Sequence, residues 1–402
     1  VLASIPLREG VGPDGATHAI VLSESCFYPE GGGQEGDYGS LTTDGTSRLV
    51  LDTQKEDGLI LHLCDGPFEV GDLVHGAIDW LRRKQLMDHH TAVHIVGGAA
   101  RKILGPHIYQ AGANKSTDLA RLDITHYRRL ARDDLDAIEI LANKVLGQVS
   151  RTEKTILPRH EADKKYGFDL YQGGAPKGNE IRVLRISDHD VQACGGTHHD
   201  EPGKIGSIRV VRSTAVQDGV ERLHIVAGES ALKFARDQDE LLRTTSQTFA
   251  VSAEDLPKTA ERFFSEWKDQ RKRIEQLEAE VVRLRTSGGG DDSTTIDGVR
   301  VVIMEVEGNL KQLTSMLQEL TRDGDTPTLA ILGSKEGGGK LMVATTENTI
   351  AAERYNAVDL LRSIIPHIKG GGGGRPTMAQ GGGSDAEGLD AALQAAKDML
   401  QS

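Results

Sequence analysis

Over the first 80 residues apolar and polar positions alternate in short runs: "HAIVLSES", "RLVLDTQ", "LILHLC" and "LVHGAIDW". A period of two predicts half-buried strands, and the Asp-Gly pairs at 44–45, 57–58 and 65–66 predict tight turns between them. Short strands at regular spacing predict a small β-barrel over 1–80. The period then lengthens. Ala92, Val93, Val96, Ala99, Ala100 and Ile103 recur at helical spacing, which predicts a helix from His90 to Leu104 stopped by Gly105-Pro106. Strand-like "ARLDIT", "EIRVLRIS", "GSIRVVRSTAV" and "VERLHIVAG" follow, with the amphipathic helix "RDDLDAIEILANKVLG" among them. These predict an α/β core over 81–228 built on one sheet.

Between 229 and 287 the strand signal disappears. Two helices are expected, joined at "VSAEDLP", with Ser252 as cap of the second. The second repeats apolar residues in heptads, with Ala260, Trp267, Ile274 and Val281 at one position and Phe263, Gln270, Leu277 and Leu284 at the other. So narrow a seam suits a helical hairpin or coiled coil and needs cover, so a homodimer through this stretch and the C-terminal domain is expected. "SGGGDDSTT" reads as a flexible linker. Over 288–402, strands "VRVVIMEVE", "TPTLAILG" and "KLMVATT" and helices over Asn309–Arg322, Tyr355–Ile368 and Leu389–Leu400 predict a small α/β domain. The expected fold class is therefore α+β multidomain, with divisions at 1–80, 81–228, 229–287 and 288–402.

Composition narrows the setting. The 402 residues carry a formal net charge of −13, and no apolar run approaches the length of a membrane span. The start, "VLASIPLREG", lacks the basic flank and apolar stretch of a secretory signal. Cys26, Cys64 and Cys194 are too few and odd in number for a disulfide framework, so a reducing, cytoplasmic setting is expected. The acidic total does not exclude a nucleic-acid partner. Basic residues cluster at Arg82-Arg83-Lys84, at Arg128, Arg129 and Arg132, and at Arg271-Lys272-Arg273. A first residue of Val within strand-like sequence suggests a piece of a longer chain.

The candidate chemistry lies in two short stretches. His90 and His94 are four apart on the predicted helix, so both imidazoles stand on one face. About a hundred residues later "CGGTHH" offers the Cys194 thiolate and a third imidazole, from His198 or His199, across glycines that permit a tight turn. Nitrogen and sulfur donors in a set of four suit Zn²⁺. His89 also precedes His90, but only His90 keeps the four-residue spacing to His94. Two glycine-rich stretches stand apart: Gly31-Gly32-Gly33-Gln34, and Gly370 to Gly383 enclosing Arg375. The second lacks the Gly-Lys-Ser/Thr of a nucleotide-binding loop, so its glycine N–H groups and guanidinium suit backbone phosphate instead.

"HHTAVHIV", "YQAGANKSTDLARLDITHYRRL" and "ACGGTHHDEPGKIGSIRVV", in this order, resemble the editing domain of alanyl-tRNA synthetases and of related free-standing trans-editing proteins. "CFYPEGGGQEGDYGSL" resembles the glycine-rich barrel that precedes that domain. "IKGGGGGRPTMAQGGG" is similar to the glycine-rich loop of the family's C-terminal domain, itself akin to the nucleic-acid-binding part of DHH phosphoesterases. "ANKSTDLARLDITHY" has an archaeal flavour.

The resemblance implies one Zn²⁺ on His90, His94, Cys194 and His198, with Gln110 beside it holding substrate or water. It implies that Gly31, Gly32, Gly33 and Gln34 lie by the acceptor end of tRNA, and that Gly372, Gly373 and Arg375 contact the tRNA. The implied activity is hydrolysis of the ester in tRNA(Ala) mischarged with serine or glycine. The aminoacylation domain, of which nothing is seen here, is expected to precede this segment. Thr91, between the two helical histidines, is expected to project elsewhere. Three other readings are open: a free-standing trans-editing deacylase, a non-catalytic zinc and tRNA-binding module, and a DHH phosphoesterase suggested by the tail. The Asp88-His89-His90 triplet is read as coincidence. Two roles for the metal are also open. Three bound ligands leave a position for an activated water, whereas four make the ion an organiser of the pocket.

Overall fold

A computed structural model describes residues 1–8, 10–287, 293–322, 324–347 and 349–401, and within the long helix below the side chains of 279, 282, 283 and 285–287 are left aside. The chain divides into two compact units, Val1–Thr248 and Phe249–Ser402.

The first unit opens with β1 (Ala3–Pro6), β2 (His18–Val21), β3 (Gly39–Thr42), β4 (Ser47–Glu56), β5 (Leu59–Cys64) and β6 (His75–Ile78). They form an antiparallel sheet ordered β1-β2-β5-β4-β3-β6 over a core of Ile20, Phe27, Leu41, Val50, Cys64 and Phe68. The β4–β5 turn uses the Asp-Gly pair as expected, with Asp57 at φ 48° and Gly58 at φ 85°. The expected barrel does not close. Among the described residues β1 and β6 remain unpaired edges of four residues each. Only two backbone bonds tie Val1 to the turn ahead of β6, one to Asp72 O at 2.6 Å and one from Gly71 N at 2.9 Å. Edges this short end before a shared ladder begins.

Next come α1 (Trp80–Leu104), β7 (Gln110–Lys115), β8 (Ala120–Thr125), α2 (Arg132–Gln148), β9 (Glu153–Pro158), α3 (Arg159–Tyr166), β10 (Glu180–Ile186), β11 (Asp190–Ala193), β12 (Ile208–Gln217), β13 (Val220–Ala227) and α4 (Glu229–Phe249). The single expected sheet is two. "EIRVLRIS" belongs to an antiparallel sheet ordered β11-β10-β9, and the other strands to a sheet ordered β12-β13-β8-β7. The alternation of "ARLDIT" has a physical counterpart, since Ala120, Leu122 and Ile124 all enter one core with α1 and α2. α1 begins ten residues earlier than expected. Asp79 caps it by accepting from Arg82 N at 3.1 Å, and Gly105 ends it at φ 121°.

The second unit holds α5 (Leu256–Ser287), β14 (Ser293–Ile296), β15 (Val299–Glu305), α6 (Leu310–Leu320), β16 (Thr328–Ser334), β17 (Gly339–Thr345), α7 (Ile350–Arg354), α8 (Ala357–Ile364), β18 (Gly370–Arg375), β19 (Met378–Gly383) and α9 (Leu389–Gln401). Its sheet runs β14-β15-β16-β17-β19-β18, with only the β15–β16 pair parallel. β16 is buried on both faces: Leu329 and Ile331 enter the core under α8 and α9, Ala330 and Leu332 the core under α6. The helix expected over 355–368 is shorter, because Pro366 turns its end into a tight 3₁₀ turn over Ile365–Ile368. Most of the expected linker, 288–292, lies outside the described residues. Among the described residues no helix is long and apolar enough to cross a membrane.

Candidate metal centre

His90 and His94 stand one turn apart on the buried face of α1, with ring centroids 5.4 Å apart. The turn after β11 brings Cys194 and His198 against them. Arg182 on β10 holds that turn by donating from Nη1 to the carbonyls of Cys194 and Gly196, both at 2.8 Å. Gly196 is required there, because a Cβ would run into the His90 ring. Cys194 Sγ lies 3.4 Å from His90 Nε2 and 3.2 Å from His198 Nε2. Donor atoms of His90, His94, Cys194 and His198 all lie within 4.8 Å of one another.

The other nitrogen of each ring is engaged. His90 Nδ1 meets Gln34 Oε1 at 2.6 Å, His94 Nδ1 meets Asp190 Oδ2 at 3.3 Å, and His198 Nδ1 meets Thr91 Oγ1 at 3.4 Å. Each partner is an oxygen acceptor for an imidazole N–H, so the three Nε2 lone pairs converge. Outer contacts of this kind are the usual surroundings of zinc-bound histidines, and the donor set fits Zn²⁺.

Electrostatics favours the unprotonated form at His90, His198 and Cys194, and the opposite at His94. Burial holds the imidazoles of His90 and His198 well below the usual range. Burial also pushes the Cys194 thiol up, but the hydrogen bond and charge of His94, the Gly196 N–H and Lys115 outweigh it, and the thiol sits below its ordinary value. For His94 burial acts downward, yet Asp190 and Cys194 prevail and raise it to about 9.

The two ambiguous neighbours face elsewhere. His89 Nδ1 donates to Ser116 O at 2.6 Å. His199 Nε2 pairs with the buried Asp88 at 2.6 Å. Thr91 departs from its expected place, because its hydroxyl reaches the Cys194–His198 turn.

His90, His94 and Cys194 of the cluster line a cavity of about 670 Å³. Gln110, at the start of β7, lines it, and its backbone N–H donates to Gln172 Oε1 at 3.1 Å. Gly31, Gly32 and Gly33 line it too, whereas Gln34 does not. Two features escaped the sequence reading. Lys115 is 2% exposed, donates to Gly32 O at 2.8 Å and lines the cavity; burial lowers its ammonium to about 8. A second glycine turn, Gly173-Gly174, also lines the cavity. The doublet in "YQGGAPKGN" signals a turn, but nothing in it points to the cavity.

Gly372, Gly373 and Arg375 lie in the second unit, in a strand and not in a loop. β18 pairs with β19 residue by residue, from Gly370 opposite Gly383 to Arg375 opposite Met378. Glycine hides the alternation by which a strand is read. Here it serves close approach, since a Cβ on Gly370, Gly372 or Gly374 would run into the β19 backbone.

Comparison with known proteins fits this layout. Family models match in three places: tRNA synthetases class II (A) over 11–82, the Threonyl and Alanyl tRNA synthetase second additional domain over 181–224, and the DHHA1 domain over 298–402. Alanine–tRNA ligase of Natronomonas pharaonis is 42% identical over 97% of this chain and 41% of its own length. That of Halobacterium salinarum is 43% identical over 98% and 41%, and that of Methanothrix thermoacetophila 41% identical over 95% and 42%. The chain is similar to the C-terminal portion of archaeal alanine–tRNA ligases. It spans about 41% of the length of these ligases. Among solved structures, the C-Ala domain from Aquifex aeolicus alanyl-tRNA synthetase matches 28% of this chain and all of its own, at 20% identity and a TM-score of 0.26, too low to carry an argument.

Proposed function

We propose that this portion of an alanine–tRNA ligase hydrolyses the ester of tRNA(Ala) mischarged with serine or glycine, in the cytoplasm. One observation carries the reading: of four convergent metal donors, His90, His94 and Cys194 line a cavity that also presents Gln110, a buried lysine and two glycine turns. His90, His94, Cys194 and His198 would hold Zn²⁺, which when bound supplies Lewis acidity.

The protein's own groups divide the remaining work. Gln110 offers an amide that hydrogen-bonds a substrate hydroxyl or a water and, having no titrating proton, orients rather than transfers. The Lys115 ammonium opposes negative charge that develops on the ester oxygens, with more effect in a buried site than in water. Gly31–Gly33 let the terminal nucleotide approach the backbone closely. A pocket built to hydrogen-bond a hydroxyl rejects the analogue lacking it by roughly 10⁴–10⁵, which spares alanyl-tRNA(Ala).

The functional division proposed is 1–80 for the acceptor end, 81–228 for deacylation, 229–287 for self-association and 288–402 for tRNA affinity. On α5, Phe263, Trp267, Ile274, Leu277, Val281 and Leu284 are all 43–60% exposed, an uncovered seam suited to a second copy. Among the described residues no further strand pairs with the outer side of the Arg375 strand, which suits its N–H groups there to phosphate. Deacylation of mischarged tRNA(Ala), with and without a chelator, tests the reading.

A further inference from the structure

The glycine-rich segment 31–34 ends on a side chain that turns away from the cavity. Gln34 is 0% exposed, and its amide oxygen is the meeting point of two parts of the centre. Oε1 faces His90 Nδ1 at 2.6 Å, the backbone N–H of Thr197 at 3.2 Å and the Thr197 hydroxyl at 3.1 Å, while Nε2 donates to that hydroxyl at 2.8 Å. Thr197 lies between Cys194 and His198, so one amide joins the helix that carries two donors to the turn that carries the other two.

The geometry also fixes which way round the amide and imidazole stand. The Thr197 N–H can only donate, so the Gln34 atom facing it is the oxygen. His90 Nδ1 therefore carries the proton in that contact, and Nε2 keeps its lone pair on the side of Cys194. Gln34 is itself held by β7. Lys115 N donates to Gly33 O at 2.6 Å, Glu35 N donates to Lys115 O at 3.2 Å, and Lys115 Nζ caps Gly32 O at 2.8 Å. Gly33 makes that approach possible, at φ +74° and with no room for a Cβ against the Ala113 carbonyl.

We propose that Gln34 is a positioning residue of the metal centre. It sets the tautomer and aim of His90 and locks the Cys194–His198 turn to α1, so the glycine-rich segment acts on the metal ligands and not on substrate alone. This rests on the reading of the four-donor cluster as a metal site.

The test titrates metal-free protein with Co²⁺, read by its thiolate charge-transfer and visible bands, and with Zn²⁺ against a chromophoric chelator. Wild type, Gln34→Glu and Gln34→Leu are compared. Loss of such an outer partner typically costs about 10–100-fold in metal affinity. Gln34→Leu is expected to lose that much and to shift the Co²⁺ bands. Gln34→Glu, which still accepts from His90 and Thr197, is expected to remain within about threefold of wild type. If Gln34→Leu does not fold, Gln34→Asn replaces it; one methylene shorter, it cannot reach His90 and is expected to show the same loss. Wild-type affinity in the Leu or Asn variant overturns the proposal, as does an equal loss in Glu and Leu, which would mark plain packing. A wild-type protein without tetrahedral Co²⁺ bands refutes the metal reading itself.

Discussion

Asp88 and His199 are bonded at 2.6 Å beneath the donor cluster, although each is a near neighbour in sequence of a proposed metal ligand. Asp88 is fully buried, and its second oxygen takes Lys84 Nζ at 2.8 Å. Gly228 lies so close that a Cβ there would run into the carboxylate. The His199 backbone N–H donates to Thr91 Oγ1 at 3.3 Å, so α1 and the turn stay joined even without an ion.

Removing one member of that pair strands the other. Asp88→Leu is expected to destabilise the metal-free protein by roughly 1–3 kcal/mol, as leaving a buried hydrogen-bonding group without its partner does. Urea unfolding measures it. A loss below about 1 kcal/mol would mean that the pair is not what joins helix and turn.

Gly196→Ala places a methyl group where the His90 ring lies. It should weaken Zn²⁺ binding by more than about tenfold, in the range found when outer-shell order is lost, while the far-ultraviolet circular dichroism persists. Unaltered Zn²⁺ affinity would show that the ring need not stay where it is seen.

His62 is fully buried, its Nε2 2.6 Å from Ser25 Oγ and its Nδ1 2.9 Å from Ile20 O. Burial, partly offset by the Ile20 carbonyl, holds its imidazole below the usual range. The unfolded ring titrates near 6.5, so below that pH the unfolded chain takes up a proton that the folded chain resists. The neutral ring's contribution is complete above about 6.5 and is lost as pH falls through the folded value. Wild type should therefore lose more denaturant resistance between pH 7 and pH 5 than His62→Gln does. Equal losses would contradict this.

How far the sequence revealed the site depended on distance along the chain. The spacing of His90 and His94 and the glycines around Cys194 are local, and those signals lead to residues that the fold brings together. The first ten residues of α1 were hidden by Arg82, Arg83 and Lys84, which read as a basic cluster open to nucleic acid. In the structure they pair with Glu35, Asp37 and Asp88. The contact of Gln34 with His90 spans 56 positions, and the sequence has no period at that length. Barrel closure was a wrong extrapolation from strand spacing, since spacing says nothing about whether the two edge strands meet. The poly-glycine strand was invisible because an alternation needs side chains.

The tail is expected to act through phosphate. Removing residues from about 288 onward should weaken tRNA binding and raise KM without altering preference between serine and alanine. The salt slope of tRNA binding should fall by roughly 0.7–0.9 for each phosphate that the shortened chain no longer neutralises. Equal affinity at low salt with and without the tail would leave Arg375 and its glycines without a role in binding.

The proposed self-association is checked by sedimentation of the full chain beside a version truncated after Gly228. A dimer is expected only for the former, with the α5 seam as its face. Monomers in both at micromolar concentration would contradict it.

The central claim is that the cavity beside the four donors removes serine from tRNA(Ala). Its most direct test is the rate of deacylation of seryl-tRNA(Ala) and alanyl-tRNA(Ala) by the Zn²⁺-loaded protein, by chelator-treated protein and by His90→Ala. The account predicts rapid release of serine, little release of alanine, and loss of the serine reaction in both metal-depleted forms. Seryl-tRNA(Ala) left intact by the loaded protein, or hydrolysed as fast by protein shown to lack metal, would contradict it.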